Sequence, residues 1–421
     1  MKKLFTLLLS ILLLLPACTV SPTTAKPEIK TTAPTITLTK QELTEQIPPP
    51  PPSSTEPPIE VKPSYTRISF LAAGDNVIHP CIYKEAKQRA TKDSREYNFL
   101  PVYESIAQYV KNADIAFINQ ETLMGGEELG YSGYPRFNSP QDLALDLKDL
   151  GFDVINIANN HMCDKGEKGL KATIEFLSSI EDITLIGGHL NEADFDNIRI
   201  VEKSGIKIAF LSYTYGTNGL SLPKNTELFV PYIDEEAISR QISKAKEISD
   251  VVLVSIHWGE ENHFDPSAEQ ISLSQKIADW GADAIIGHHP HVIQPIKWLE
   301  GKNGNKTLCI YSLGNLISAM NNGYNMLGGL MTFEIVRNDL TGEIFIDSPL
   351  FIPTAFYYAD SWFQTKLHLL RDYDQELSLT HGSRKHGKLA TRKDMEKYLT
   401  DTIDPQFLPL WVYNPEDVIE Q

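Results

Sequence analysis

From residue 66 onward the chain alternates short apolar runs with longer amphipathic stretches, and nearly every apolar run ends in a polar cluster. The runs and their endings are RISFLAA then GD, ADIAFI then NQE, DVINIA then NNH, VVLVSI then HWG, ADAII then GHHPH, and TLCIY then SLGN. Short apolar runs closed by turn formers predict strands. The stretches between them predict helices. SPQDLALDLKDLG offers Ser139 as N-cap, Pro140 in the first turn and Gly151 as a stop, and SAEQISLSQKIADWG places Ser267 and Gly281 comparably. KNADIAFINQE, LGFDVINIANNH and WGADAIIGHHPH share one order: helix end, breaker, Asp, apolar strand, polar tip. That is recurrence of a strand–helix unit, which predicts a largely buried sheet with its site beyond the carboxyl ends of the strands. Six tips would converge on one edge.

Two further segments, IRIVEKSGIKIAFLSYT and GLMTFEIVRNDLTGEIFIDSP, predict hairpins turning at KSG and NDLTGE. Antiparallel pairs beside helix-separated strands imply a mixed sheet or two sheets packed as a sandwich. The folded domain is expected to span residues 65–355. After residue 355 the pattern weakens to a helix or two, so 356–421 is taken as a C-terminal extension.

The amino-terminal end changes the picture. Residues 1–18 carry two lysines and then an apolar run too short for a comfortable membrane span, which predicts an export signal. Its end, Leu15-Pro16-Ala17-Cys18, resembles a bacterial lipobox, with Cys18 as the lipidated first residue of the mature chain. The expected location is outside the cytoplasmic membrane, tethered to it. Residues 19–64 are rich in Pro, Thr and Ser and include PPPPPPSSTEPP, a composition that lacks a core and favours an extended, disordered linker.

Charge then narrows the partners. A net charge of −17 would repel a polyanion at long range, so a broad nucleic-acid groove is not expected. An anionic substrate would have to be held locally. Cys81, Cys163 and Cys309 form no C-x-x-C pair and read as small buried residues rather than a disulfide framework.

The polar tips supply Asp75, Glu121, Asn160, His161, His257, His288, His289, His291 and Asn315. Taken singly these are weak signals: an Asp after a strand commonly forms a turn, and Asn159-Asn160 tolerates unusual backbone angles. Jointly they say more. Five of the chain's eleven histidines fall at three strand ends. Imidazole nitrogen with carboxylate and amide oxygen is a ligand set for one or two divalent transition metal ions, zinc, manganese or iron. On an extended backbone His289 and His291 would point to one side and His288 to the other. Asp164 could orient a ligand or cap the following helix, KGEKGLKATIEFL, and the cap is the favoured reading.

The ordered motifs AAGD, INQET, NIANNHMCDKG, VSIHWGEEN, GADAIIGHHPHVIQPI and IYSLGNLI resemble the capsule or poly-γ-glutamate synthesis proteins (CapA/PgsA), which are related to calcineurin-like metallophosphoesterases. The resemblance covers roughly residues 66–335 and implies a four-layer α/β/β/α sandwich. It implies that Asp75 binds one metal and that Glu121 bridges. Asn160, His257 and His289 would complete the second metal's shell, His291 would return to the first, and His161 would be the general acid. Trp258, Glu261 and Asn315 belong to motifs characteristic of this family and are candidates for substrate contacts or for support of the ligands. One departure stands out. The histidine that metallophosphoesterases carry two residues after the first Asp is here Val77, with His79 two residues further on. Asn262 stands where relatives often have Tyr.

Three activities are compatible with these residues: a surface-anchored metal-dependent phosphoesterase, a non-catalytic accessory that binds poly-γ-glutamate or a membrane-embedded polymer synthase, and hydrolysis or transfer at an amide of the polymer. Val77 favours the accessory. His161 favours the hydrolase.

Overall fold

A computed structural model describes residues 63–92 and 95–413. The expected signal peptide, Cys18 and nearly all of the linker lie outside them. Among the described residues no helix is long and apolar enough to cross a membrane.

Among the described residues fourteen strands form two sheets. They are β1 Tyr65–Asn76, β2 Ile115–Gln120, β3 Val154–Asn156, β4 Thr184–Ile186, β5 Arg199–Lys203, β6 Ile206–Thr214 and β7 Val251–His257, followed by β8 Ala284–His288, β9 Ile296–Glu300, β10 Lys306–Ile310, β11 Asn315–Ile317, β12 Leu327–Asn338, β13 Ile344–Tyr357 and β14 Lys366–Leu369. The first sheet runs β14-β13-β12-β1-β2-β3-β4, with β11 paired to the end of β1. Within it β1 to β4 are parallel, and β12, β13 and β14 are antiparallel additions. The second sheet runs β5-β6-β7-β8-β10-β9, with β6, β7, β8 and β10 parallel and an antiparallel strand at each edge.

The sheets meet face to face through apolar side chains: the Phe70 ring on β1 lies 6.2 Å from Phe210 on β6, and its own-sheet neighbour Phe333 on β12 stacks on it at 4.7 Å. Helices close both outer faces. Ile238, Ile242 and Ala245 of Glu235–Ile248, with Leu273 and Ile277 of Ala268–Trp280, pack on Leu211, Val254 and Ile256 of the second sheet. Leu143 and Leu147 of Asp142–Leu150 and Leu170 and Ile174 of Gly166–Ser178 join the core of the first. The four-layer α/β/β/α sandwich expected from the sequence is therefore observed. β2 and β7 are buried at every position, as parallel strands covered on both faces must be.

The six predicted strands and both hairpins are present. At KSG the turn residues Ser204 and Gly205 take φ of 51° and 71°, the paired left-handed conformation that suits a tight hairpin. Ser267 caps its helix in a capping box with Gln270, and Gly281 ends it at φ 98°. Gly151 ends the helix Asp142–Leu150 at φ 108°, but Gln141 occupies the N-cap, not Ser139. The Ser139 hydroxyl is instead 2.8 Å from that of Thr122 in the interior.

The carboxyl end of the domain differs from expectation more substantially. β13 runs past residue 355 to Tyr357, and β14 from the supposed extension adds to the first sheet. Tyr358, Leu369, Tyr373, Met395, Leu399 and Phe407 sit in the same core as β1 and β2. Residues 356–413 are thus built into the sandwich.

One glycine fixes the approach of strands at the site. A Cβ on Gly74 would lie 2.2 Å from the Gly314 carbonyl, so only glycine lets β1 pass the loop before β11. The β1 to β2 register shifts between Ala73 and Asp75, which aims the Asp75 carboxylate at the strand-end edge.

Candidate metal centre

Asp75 at the end of β1, Glu121 after β2, Asn160 and His161 after β3, His257 at the end of β7, and His288, His289 and His291 at and after β8 gather on that edge. All of them are buried. One donor atom each from Asp75, Glu121 and His291 lie within 4.8 Å of one another, and the same holds for Glu261, His289 and His291. His291 belongs to both groups.

Asp75 is held from several sides. Asn119 Nδ2 donates to its Oδ1 at 2.8 Å, the His289 backbone N–H donates to Oδ2 at 3.2 Å, and His291 Nδ1 is 3.2 Å from Oδ2. His288 Nδ1 lies 3.3 Å from Oδ1 without hydrogen-bond alignment. Burial opposes the charge of Asp75, yet the imidazoles of His288 and His291 hold its carboxyl well below the usual range.

Glu121 is the opposite case. Both its carboxylate oxygens are buried and have no hydrogen-bond partner. His291 Nε2 lies 3.5 Å and His257 Nε2 3.9 Å from its Oε1. Burial pushes Glu121 well above the ordinary carboxylate range. At His291 burial works against the charged form, but the neighbouring Glu121 and Asp75 carboxylates outweigh it and raise the imidazole to about 10. Two carboxylates and an imidazole thus share one small buried volume, where a divalent ion would favour the charged carboxylates and the neutral imidazole.

The imidazoles of His257 and His289 are kept neutral. Burial drives His257 well below its ordinary value, and burial followed by the charge of His291 takes His289 to about 3. The Nδ1 atoms of both are buried without a partner. Neutral imidazole with an open lone pair is what a metal requires. Asn160 Oδ1 is 3.1 Å from His257 Nε2, and the half-exposed Tyr215 ring lies 4.5 Å from His289 and nearly parallel to His257.

His161 stands one step away. Its Nδ1 is 2.8 Å from Asp164 Oδ2, its backbone N–H donates to Asn159 Oδ1 at 2.9 Å, and Phe137 meets its ring edge-on at 4.8 Å. Asp164 also accepts the Phe137 N–H at 2.6 Å. Asp164 therefore holds His161 and does not cap the next helix, whose N-cap is Lys165.

The geometry corrects further expectations. His289 and His291 have φ of 98° and 57°, so the backbone there is not extended, and the two rings reach one centre through a pair of left-handed residues. His288 is not turned away: it sits beside Asp75, stacked on Phe117 at 5.7 Å. Trp258, a candidate for substrate contact or for support, is 2% exposed; it stacks on Tyr311 and donates from Nε1 to the Tyr311 carbonyl under the outer helices. Asn315 is wholly buried, with Oδ1 3.0 Å from His291 Nδ1 and Nδ2 donating to the Asn325 carbonyl at 2.9 Å, the support of His291 that was one of its two expected roles. Glu261, expected as a substrate contact, is an exposed member of a possible donor set. His79, two residues past Val77, is tied to the β11 side of the fold. Its Nδ1 accepts the Ala319 N–H at 3.1 Å, which shapes the loop after β1.

An amide layer beneath the ligands was not anticipated. Asn156 Nδ2 donates to Asn119 Oδ1 at 2.8 Å, Asn119 donates in turn to Asp75, and Ser212 on β6 donates to Asn156 Oδ1 at 2.5 Å. Alongside it Asn76 Nδ2 donates to Gln120 Oε1 at 2.7 Å. The available signal was Asn119 and Asn156 as polar residues closing two otherwise apolar strands at the same register.

Fold and site together define a two-sheet α/β/β/α sandwich with a histidine and carboxylate centre at the carboxyl ends of its parallel strands. The chain belongs to the bacterial capsule synthesis protein PGA_cap family, whose model matches residues 69–320. Among its relatives are a PGA biosynthesis protein CapA of Bacillus subtilis, 40% identical over 173 residues covering 41% of this chain and 44% of the relative, and a capsule biosynthesis protein CapA of Bacillus anthracis, 32% identical over 224 residues covering 51% and 53%. The chain thus spans about half the length of these curated relatives. Similar solved structures include a novel phosphatase from Mycoplasma pneumoniae, with 14% identity, a TM-score of 0.41 and coverage of 69% of this chain and 95% of that one. A putative 5'-nucleotidase from Staphylococcus aureus matches at 14% identity and a TM-score of 0.44 over 79% of this chain and 59% of that one. At those scores the architecture rests on the strand pairing of the chain itself.

Proposed function

We propose that this chain is a metal-dependent hydrolase, acting on phosphoesters, that serves the making or export of an anionic capsule polymer such as poly-γ-glutamate. It works outside the cytoplasmic membrane, anchored through Cys18, beside the membrane-embedded synthase. The observation that carries the hydrolase reading is Glu121: a carboxylate with both oxygens buried and unpartnered is costly unless a cation shares its site. The relatives named for capsule and PGA biosynthesis support the polymer.

Asp75, Glu121 and His291 would hold one ion, while His289 and Glu261, with His291 between the groups, would flank a second, and His257 and Asn160 close the far side. A divalent transition ion held there supplies concentrated positive charge and acidifies water to near neutrality. The protein does the rest. Asn119 and the His289 N–H orient Asp75, Asn315 orients His291, and Asp164 engages His161 Nδ1 so that Nε2 is the atom left to protonate a leaving oxygen.

A second reading, a non-catalytic polymer-binding or synthase accessory, is favoured by Val77, an apolar side chain where metallophosphoesterases carry a ligand histidine. Metal analysis and turnover of an aryl phosphate separate the two. The hydrolase reading expects at least one equivalent of zinc, manganese or iron and turnover that falls about 100-fold or more in His161→Ala with metal retained. Less than one equivalent, or metal without turnover, overturns it in favour of the accessory.

A further inference from the structure

A cavity of about 890 Å3 opens beside the metal centre, within the size range of sites that take organic ligands. Two contacts tie it to the centre. Glu261 on its wall is within reach of His289 and His291, and Asn325 on its wall donates from Nδ2 to the His291 carbonyl at 3.0 Å and to Asn262 Oδ1 at 2.8 Å. The opposite wall comes from the C-terminal segment. Trp362 lies flat on Tyr358, with ring centroids 4.9 Å apart and planes 4° from parallel, and Tyr358 Oη donates to the Met320 carbonyl at 2.7 Å.

The lining has a definite chemistry. Lys84 and Lys388 both line the cavity and both are exposed, and neither makes an ion pair among the described residues. In a chain of net charge −17, two unpaired cations lining one cavity outnumber its single carboxylate, Glu261, and favour an anionic ligand. No arginine is among the described lining residues. The planar fork that grips phosphate in two places is therefore missing, whereas separate ammonium groups suit single, spaced carboxylates. The side-chain amides of Asn262 and Asn321 can both donate to and accept from amide groups, and the Trp362 ring offers an apolar face to methylenes.

We propose that this cavity is a binding subsite for an acyclic chain whose repeat carries one carboxylate and one amide, with Lys84 and Lys388 pairing the carboxylates and the C-terminal segment supplying the Trp362 wall. The subsite deepens the polymer part of the proposed function and leads the chain toward the metal centre.

The test is titration of a fluorescently labelled poly-γ-glutamate oligomer with the full-length chain at low salt, beside inorganic polyphosphate of matched charge. Metal content, thermal midpoint and aryl-phosphate turnover are measured on the same preparations. The expected result is that K84E/K388E weakens oligomer binding at least about tenfold, with metal content and midpoint unchanged, because two attractions become two repulsions. Trp362→Ala weakens it too, while Trp362→Phe restores most of it. Wild-type binding that the double reversal leaves unaltered overturns the proposal. So does polyphosphate binding equal to the oligomer with the same lysine dependence, which would make the subsite a phosphate site. Oligomer binding that persists without any aryl-phosphate turnover upholds the subsite and sinks only the hydrolase.

Discussion

At the scale of single residues, the ligand candidates were readable because their types are rare and fall at strand ends, whereas the groups that hold them were not. Asp164 is an instance. Its place before a helix suggested a cap, but the helix begins one residue too late, and the carboxylate turns to His161 Nδ1 and to the Phe137 N–H. Sequence separation conceals such a contact, since Phe137 is brought alongside only by the fold. The place of Glu261 was hidden for a related reason: its proximity to His289 and His291 depends on the left-handed turn at those histidines, and periodicity does not encode a positive φ at non-glycine residues. A prediction follows for Asp164. With Asp164→Asn the ring loses its anionic partner but keeps an acceptor for the Phe137 N–H, so aryl-phosphate turnover falls about 10–100-fold while bound metal is unchanged. Steady-state kinetics with metal analysis checks this, and a parallel loss of metal would show that Asp164 supports the ligand shell and not the proton donor.

Elements were the most legible level, because buried parallel strands and capped helices leave strong periodic marks. The recurring Asp ahead of the strands was visible too, but its purpose was not. Asp114 accepts the Ser69 N–H on β1 at 2.9 Å, Asp153 the Ala116 N–H on β2 at 2.7 Å, Asp250 the Lys207 N–H on β6 at 2.7 Å, and Asp283 the Val252 N–H on β7 at 2.8 Å. Each ties the start of its strand to the parallel neighbour, so the motif serves the sheets at the edge opposite the site. Burial raises Asp283 to about 6 from 3.8, even though the Val252 bond pulls it down. The folded state then binds this proton more tightly than the unfolded state, and its contribution to stability declines as pH rises from about 4 to about 6, then levels off. Asp283→Asn keeps an oxygen for the Val252 N–H and has no proton to lose. The thermal midpoint of the variant, relative to the unaltered protein, should therefore rise across that window. Parallel midpoints from pH 4 to 7 would refute the assignment.

At the scale of the whole molecule, the weak pattern after residue 355 concealed a structural role, because short irregular segments pack through scattered aromatic residues and not through a repeating stripe. β14 pairs with β13 at Thr354 to Tyr357, and Tyr358, Leu369, Tyr373, Met395, Leu399 and Phe407 are all buried in the common core. Fully burying a large apolar side chain contributes about 1.5–3 kcal/mol. Losing six such residues, together with the cover they give β13, exceeds much or all of a typical domain stability of about 5–15 kcal/mol. A chain ending after Tyr357 should consequently lose its cooperative thermal transition and its near-ultraviolet circular dichroism, and with them any bound metal, although every candidate ligand remains in the sequence. An appended extension would behave otherwise: the shortened chain would melt cooperatively near the midpoint of the full chain and keep its metal. That outcome would place the boundary of the folding unit at residue 357 and leave Trp362 and Lys388 as attachments to a sandwich that stands without them.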